Sequence, residues 1–191
     1  MRLFLAIEVP AEWREAARAT TDAIAAASGV GLRRVDPAHM HLTLRFLGEV
    51  AEERLPLLHG ALARRAPPVD FELSLGAAGT FGPPARTSVV WLGLGGDRQA
   101  LHALVVRIEA AVNEAGLAPS EEAFTPHLTL ARVGRASSPV GRRAIAEAVR
   151  AVAAPAPLSF RAHEVVLVRS HLGGGPPRYE VIGRFGKPRP C

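Results

Sequence analysis

A sandwich of two lobes, with four helices and mainly antiparallel sheets, is the α+β or α/β fold that this sequence predicts. Three observations carry that reading. The tetrapeptide His41-Leu42-Thr43-Leu44 recurs verbatim as His127-Leu128-Thr129-Leu130, 86 positions on (127 − 41) in a chain of 191 residues. Each copy is preceded by one helical pattern and followed by another, with further strands after, which marks an approximate internal duplication rather than a solenoid. Several neighbouring strand patterns are joined by connections too short for a parallel crossover. As a strand, each tetrapeptide turns His and Thr to one face and both leucines to the other.

The chain opens on a buried strand through Ile7, because Glu8 and Pro10 interrupt the apolar run too early for a signal segment. Pro10 suits a first helical turn, and Trp13 to Ala27 reads as a helix ending near Gly29. A short strand over Gly31 to Val35 and an Asp36-Pro37 turn lead into the first motif strand, His39 to Leu47, which Gly48 ends. Glu49, Glu52 and Glu53 before Leu55, Leu58 and Leu62 mark a second amphipathic helix, closed by Pro67-Pro68. Phe71 to Leu75 and Thr87 to Leu94 form two strands around a Gly/Pro-rich loop at Phe81-Gly82-Pro83-Pro84.

Asp97 is the N-cap of a third helix, with Leu101, Leu104, Val105, Ile108 and Val112 as its inner stripe and Gly116 at its end. Pro126 introduces the second motif strand, His127 to Val133. Ser138-Pro139 opens a fourth helix with Ile145, Val149 and Val152 inward, and Pro155 and Pro157 stop it. Strands over Leu158 to Arg161, Val165 to Ser170 and Arg178 to Phe185 follow, the last two joined by the Gly173 to Pro177 turn. Residues 1–191 are expected to form a single two-lobed domain with 186–191 as a loose tail.

Composition excludes more than it selects. The only cysteine is Cys191, so neither an intrachain disulfide nor a Cys-rich zinc site is available. No apolar run approaches a membrane span, and a reducing, cytoplasmic setting is the expectation. The net charge is +5, and Lys187 is the sole lysine among 23 basic residues. Arginine's planar fork suits a phosphate-bearing partner, although coding bias towards Ala, Gly, Pro and Arg yields the same composition.

The duplicated histidines point to proton transfer. Imidazole titrates near neutrality, and a pair across a cleft divides the work between base and acid. That suits in-line displacement at phosphorus without a metal, with Thr43 and Thr129 donating hydrogen bonds to non-bridging phosphoryl oxygens. A metal site on His39, His41 and His127 is the rival. It lacks an Asp or Glu at ligand spacing, since Glu49 is assigned to the next helix. His59, His102 and His163 read as surface residues, and His171 has no assigned role.

The chain resembles the two-histidine phosphoesterase superfamily, specifically the RNA 2′,3′-cyclic phosphodiesterases once called 2′–5′ RNA ligases. The resemblance rests on Arg2 to Ile7, on His41-Leu42-Thr43-Leu44-Arg45-Phe46-Leu47-Gly48-Glu49, on Val90-Trp91-Leu92-Gly93, and on Thr125-Pro126-His127-Leu128-Thr129-Leu130-Ala131-Arg132. It implies an α+β, bilobal, pseudo-two-fold fold with mainly antiparallel sheets and outer helices around a central cleft, and no metal or other cofactor. It implies His41 as proton donor to the leaving ribose oxygen and His127 as the acceptor that activates water; the near-symmetric motifs alone do not assign these roles. The expected partner is RNA with a 2′,3′-cyclic phosphate end, or a cyclic nucleotide, opened to a 2′-phosphate by a monomer, with weak reverse 2′–5′ ligation in some members.

The resemblance also implies Arg132 as a phosphate ligand and Phe46 as a stacking surface for a base or ribose. Each lies five residues beyond its histidine, and strict alternation turns an odd step away from the cleft. A twist or a bulge at the strand end resolves the conflict in favour of Phe46 and Arg132; Arg45, an even step of four from His41, is the rival phosphate ligand. A phosphodiesterase for small cyclic nucleotides or 2′–5′ oligonucleotides, and a non-catalytic RNA-binding module, are the alternative functions.

Overall fold

The computed structural model describes residues 1–121, 123–171, 173 and 178–186. In chain order the elements are β1 (Arg2–Glu8), α1 (Ala11–Ser28), β2 (Leu32–Arg34), β3 (His41–Glu49), α2 (Leu55–Arg65), β4 (Phe71–Phe81), β5 (Val89–Gly96), α3 (Arg98–Glu114), β6 (His127–Val133), α4 (Pro139–Ala151), β7 (Ser159–Ala162), β8 (Glu164–His171) and β9 (Arg178–Gly186). Two antiparallel sheets result, a four-stranded one in the order β3-β1-β8-β9 and a five-stranded one in the order β2-β6-β5-β4-β7. The α+β class and its antiparallel pairing match the expectation.

Helix limits follow local signals. Gly29 ends α1 in the left-handed region at φ 62°, and its N–H donates to the Ala25 carbonyl. The Asp97 carboxylate accepts from the Ala100 N–H at 2.8 Å, and the Ser138 hydroxyl accepts from the Gly141 N–H at 3.2 Å. Each of these two N-caps satisfies a donor that the helix leaves unpaired, worth about 1 kcal/mol.

Strand limits depart from the expectation in several places. His39 belongs to a 3₁₀ turn, Pro37–His39, so it shares no strand face with His41. Gly48 does not end β3: it takes φ 69° inside the strand, which runs on to Glu49. Glu49 thus lies on β3 and pairs with the Met1 ammonium at 3.4 Å instead of opening α2. β4 continues through Gly76 and Gly79 to Phe81, because Gly79 lies under the side chain of Trp91 on β5 and Gly76 lies close against the backbone of Gly93. Gly186, expected in the tail, is the last residue of β9. The remaining expected tail, 187–191, and all of the expected 173–177 turn except Gly173 fall outside the described residues.

The sequence duplication does not coincide with the sheets. β2, from the first half, pairs with β6, while β8 and β9 from the end of the chain complete the sheet of β1 and β3. The helices are shared in the same way: α2 and α3 pack on the four-stranded sheet, and α1 and α4 on the five-stranded one. One apolar cluster joins Leu3, Leu5 and Ile7 of β1 with Leu42 and Leu44 of β3, Leu128 and Leu130 of β6, and the inner stripes of the helices. Each such leucine, fully buried, contributes about 1.5–3 kcal/mol. The other face of β1 supplies Phe4 and Ala6 to a smaller cluster with Val166 and Val168. β1 is therefore buried on both faces, which is why it reads as an unbroken apolar run. No helix among the described residues is long and apolar enough to cross a membrane.

Candidate active site

The two motif strands come from different sheets and meet where β3 packs against β6. Their registers share an irregularity. On β3, His41 lies opposite Glu8 and Thr43 opposite Ala6, but the next pair is Arg45 with Leu5, which leaves Leu44 without a partner. On β6, His127 lies opposite Gly93 and Thr129 opposite Trp91, and the next pair is Ala131 with Val90, which leaves Leu130 over. Each strand thus carries an extra residue three positions beyond its histidine, and β3 carries a second at Leu47. A bulge of this kind inverts the alternation downstream.

Burial follows the inversion. Leu130 and Ala131 are consecutive and both fully buried, and Arg132 emerges on the face of His127 and Thr129. Phe46 is 58% exposed, with its ring centroid 5.9 Å from that of Phe4, which itself stacks on His41 at 4.6 Å. Phe46 and Arg132 both occupy the cleft face, and the odd step of five is no obstacle. Arg45 is the correction. It points to the helix side, where its guanidinium pairs with Glu109 of α3 at 2.7 Å and donates to the Ala118 carbonyl at 2.6 Å.

That placement separates two roles by measurement. Arg45→Ala leaves the half-buried Glu109 without its cation, at a cost of about 1–3 kcal/mol in thermal or urea unfolding. It should leave KM for a small phosphodiester nearly unchanged. A large rise in KM at constant Tm would instead make Arg45 a substrate ligand.

Both histidines are held the same way. His41 Nδ1–H donates to the carbonyl of His39 and His127 Nδ1–H to that of Thr125, each at 2.7 Å and each two residues upstream. A carbonyl only accepts, so Nδ1 carries the hydrogen and Nε2 is left for proton exchange. The turn that presents the His39 carbonyl is itself capped by Asp36, whose carboxylate accepts from the Ala38 N–H at 2.9 Å. Burial lowers the pKa of His41, opposed by the bond to His39. Burial also lowers that of His127, opposed by the bond to Thr125 and reinforced by the positive charge of Arg132. Both imidazoles therefore favour the neutral form. Thr43 and Thr129, half-buried, make no side-chain hydrogen bond to protein among the described residues.

Aromatic side chains wall the cleft, and sequence reasoning missed most of them. Tyr179 of β9 lies edge-on to Phe4 at 5.3 Å, to His41 at 5.4 Å and to His39 at 5.1 Å. On the other side Phe81 lies edge-on to His127 at 4.8 Å, and the Trp91 indole is 6.3 Å from that imidazole. Trp91 rests on Gly79, where an added Cβ would come within 2.2 Å of the indole. Their one signal in the sequence is that Tyr179 is the sole tyrosine; the rest depends on cross-strand register, which no local pattern states. The other histidines stand elsewhere: His59 against Phe185, and His171 with Nε2 at hydrogen-bond distance, 2.8 Å, from the Glu180 carboxylate. No cluster of three or more His, Cys, Asp or Glu side chains suited to a metal occurs among the described residues.

Two sheets that bring matched His-x-Thr strands together on one cleft define a two-histidine phosphoesterase. The chain belongs to the 2′-5′ RNA ligase superfamily, whose family model matches residues 9–174. A protein of Escherichia coli named RNA 2′,3′-cyclic phosphodiesterase is 34% identical over 190 residues, covering 96% of this chain and 95% of its own. One of the same name from Methanothermobacter thermautotrophicus is 30% identical, covering 97% of this chain and 98% of its own. Among solved structures, TT0787 of Thermus thermophilus superposes with a TM-score of 0.77 at 28% identity, over 97% of both chains. E. coli LigT complexed with 3′-AMP gives 0.76 at 30% identity, also over 97% of both.

Proposed function

We propose that this protein is a single two-lobed enzyme, monomeric and cytoplasmic, that hydrolyses the 2′,3′-cyclic phosphate at the end of an RNA. The observation that carries the reading is the pair of half-buried imidazoles, each anchored through Nδ1 with Nε2 left for proton exchange, on strands that meet. The names of the relatives from E. coli and M. thermautotrophicus support the substrate class.

In the proposed step His127 Nε2 takes a proton from water as its oxygen attacks phosphorus. The P–O3′ bond breaks, O3′ takes a proton from His41, and a 2′-phosphomonoester with a free 3′-hydroxyl is left. Thr43, Thr129 and Arg132 hold the non-bridging oxygens, and Phe46 stacks on the base or ribose. The reaction needs no metal ion. Run in the same direction with a 5′-hydroxyl as the nucleophile in place of water, the same groups give weak 2′–5′ ligation. Incubating a cyclic-ended oligonucleotide with the protein in chelator, and locating the product phosphate, tests the proposal. A 2′-phosphate is expected; no turnover, or turnover only with added metal, overturns it.

The pH profile of kcat/KM carries a second test. Both imidazoles in the free enzyme sit below the ordinary histidine value, so the bell is expected to peak on the acid side of about pH 6.5. Arg132→Gln removes the charge that disfavours protonation of His127. Its pKa then rises, the base is lost at higher pH, and the acidic limb moves up. An acidic limb that stays in place contradicts the pairing of His127 with Arg132.

A further inference from the structure

The cleft face of the five-stranded sheet carries one more cation than the reaction above uses. In the β2–β6 ladder Arg33 lies directly opposite Arg132, so the two arginines leave the sheet on the same face. The next pair across, Arg132 with Val89, places them at the outer end of a row that continues to Phe81. Arg34, one residue on, turns the other way and pairs with Asp22 of α1. Arg33 is exposed and makes no ion pair among the described residues, and neither does Arg132. Two like charges directly opposite each other in an antiparallel pair destabilise a sheet. An anion lying between or along them removes that penalty.

The surroundings add cations of the same kind and no anion. The segments that form this end of the sheet are 31–35, 84–90 and 131–137, and none contains Asp or Glu. They also carry the exposed Arg86, in the turn before β5, and Arg135, in the turn after β6. Arg142 of α4 fixes those turns to one another. Its guanidinium donates to the carbonyls of Ser137 at 3.1 Å, Gly134 at 2.9 Å and Thr87. The arginines are thus presented on a braced rim at the edge strand of the cleft.

We propose that Arg33 binds the internucleotide phosphate on the 5′ side of the reacting end, with Arg86 and Arg135 continuing the path along the RNA backbone. This rests on the proposed function, in which Arg132 holds the terminal phosphate. Cross-strand partners start about 5 Å apart, so two extended arginines can each take one of two successive phosphates. The rim is then the part of the molecule that distinguishes a cyclic-ended RNA from a cyclic mononucleotide, which has no second phosphate to offer.

The test compares kcat/KM for a cyclic-ended pentanucleotide with that for a 2′,3′-cyclic mononucleotide. In Arg33→Gln the preference for the pentanucleotide is expected to fall about tenfold through KM, with Arg33→Lys retaining part of it. The salt slope of log K for binding a 2′-phosphate-ended pentanucleotide should shallow by about one. An unchanged preference and slope, or an equal loss on both substrates, overturns the proposal while wild-type turnover leaves the proposed function standing. A wild-type protein that turns over neither substrate contradicts the proposed function. The binding measurement still decides on Arg33, because equal affinity of wild type and Arg33→Gln then overturns its role.

Discussion

Asparagine in place of His127 is expected to lower turnover of a cyclic-ended RNA by about 10²–10⁴, the usual worth of a positioned general base. Asparagine is the sharper substitution than alanine because its side-chain N–H can still satisfy the Thr125 carbonyl that His127 Nδ1 now serves. The variant keeps the local anchor and loses only the group that exchanges the proton, so Tm should move little. His41→Asn, with the His39 carbonyl as its anchor, is expected to lose a similar factor on the same substrate. A leaving group such as p-nitrophenolate departs without a proton. On such a phosphodiester the His41 variant should recover most of its activity and the His127 variant should not. Near-normal turnover in His127→Asn would sink the mechanism, and the opposite pattern of recovery would exchange the two roles.

Leu130→Ala is expected to cost the fold and to spare the site. Leu130 is the residue of β6 that has no partner on β5; it and Ala131 are both fully buried, and Arg132 then emerges on the cleft face. Truncating its side chain leaves a cavity among the leucines of the shared core, at a cost of about 2–5 kcal/mol. At about 2–4 °C per kcal/mol for a chain of this size, Tm should fall by roughly 4–20 °C. The extra residue itself remains, and with it the position of Arg132, so kcat/KM measured well below the new Tm should stay near that of the wild type. Leu130→Met conserves the volume and should cost less than about 1.5 kcal/mol. A Leu130→Ala variant with wild-type Tm would contradict the packing of Leu130, and a large rise in KM would mean that its side chain, rather than the extra residue, places Arg132.

What was legible in the sequence was local. Asp97, Ser138 and Gly29 act within three or four residues of the helix ends they mark, so a sequence window contains the whole cause. The alternation of His41, Leu42, Thr43 and Leu44 is equally short-range, and it places the histidine and threonine faces correctly. The bulges were not legible: no turn residue flags Leu44 or Leu130, and the extra residue is defined only against the partner strands β1 and β5. Neither was the carbonyl anchor of His41, because a 3₁₀ turn at Pro37–His39 and a strand begun at His39 share the same residues. Tyr179 stands 138 positions from His41 (179 − 41), and only the β8–β9 hairpin brings it there. β4 runs longer than its glycines promise because Gly79 makes room for Trp91 and Gly76 for the backbone of Gly93.

The exchange of strands between the two halves has a consequence for synthesis. β1 is the second strand of its sheet, yet the neighbour on its far side, β8, pairs Val168 with Phe4. The ribosome must add 164 residues (168 − 4) between those two partners. At about 5–20 residues per second that takes roughly 8–30 s. Throughout that interval one edge of Leu3, Phe4, Leu5, Ala6 and Ile7 has no strand to pair with, in a segment that ends up buried on both faces. The stretch most deeply enclosed in the finished protein is therefore the one that waits longest for its cover, and the one a nascent-chain chaperone has most reason to hold.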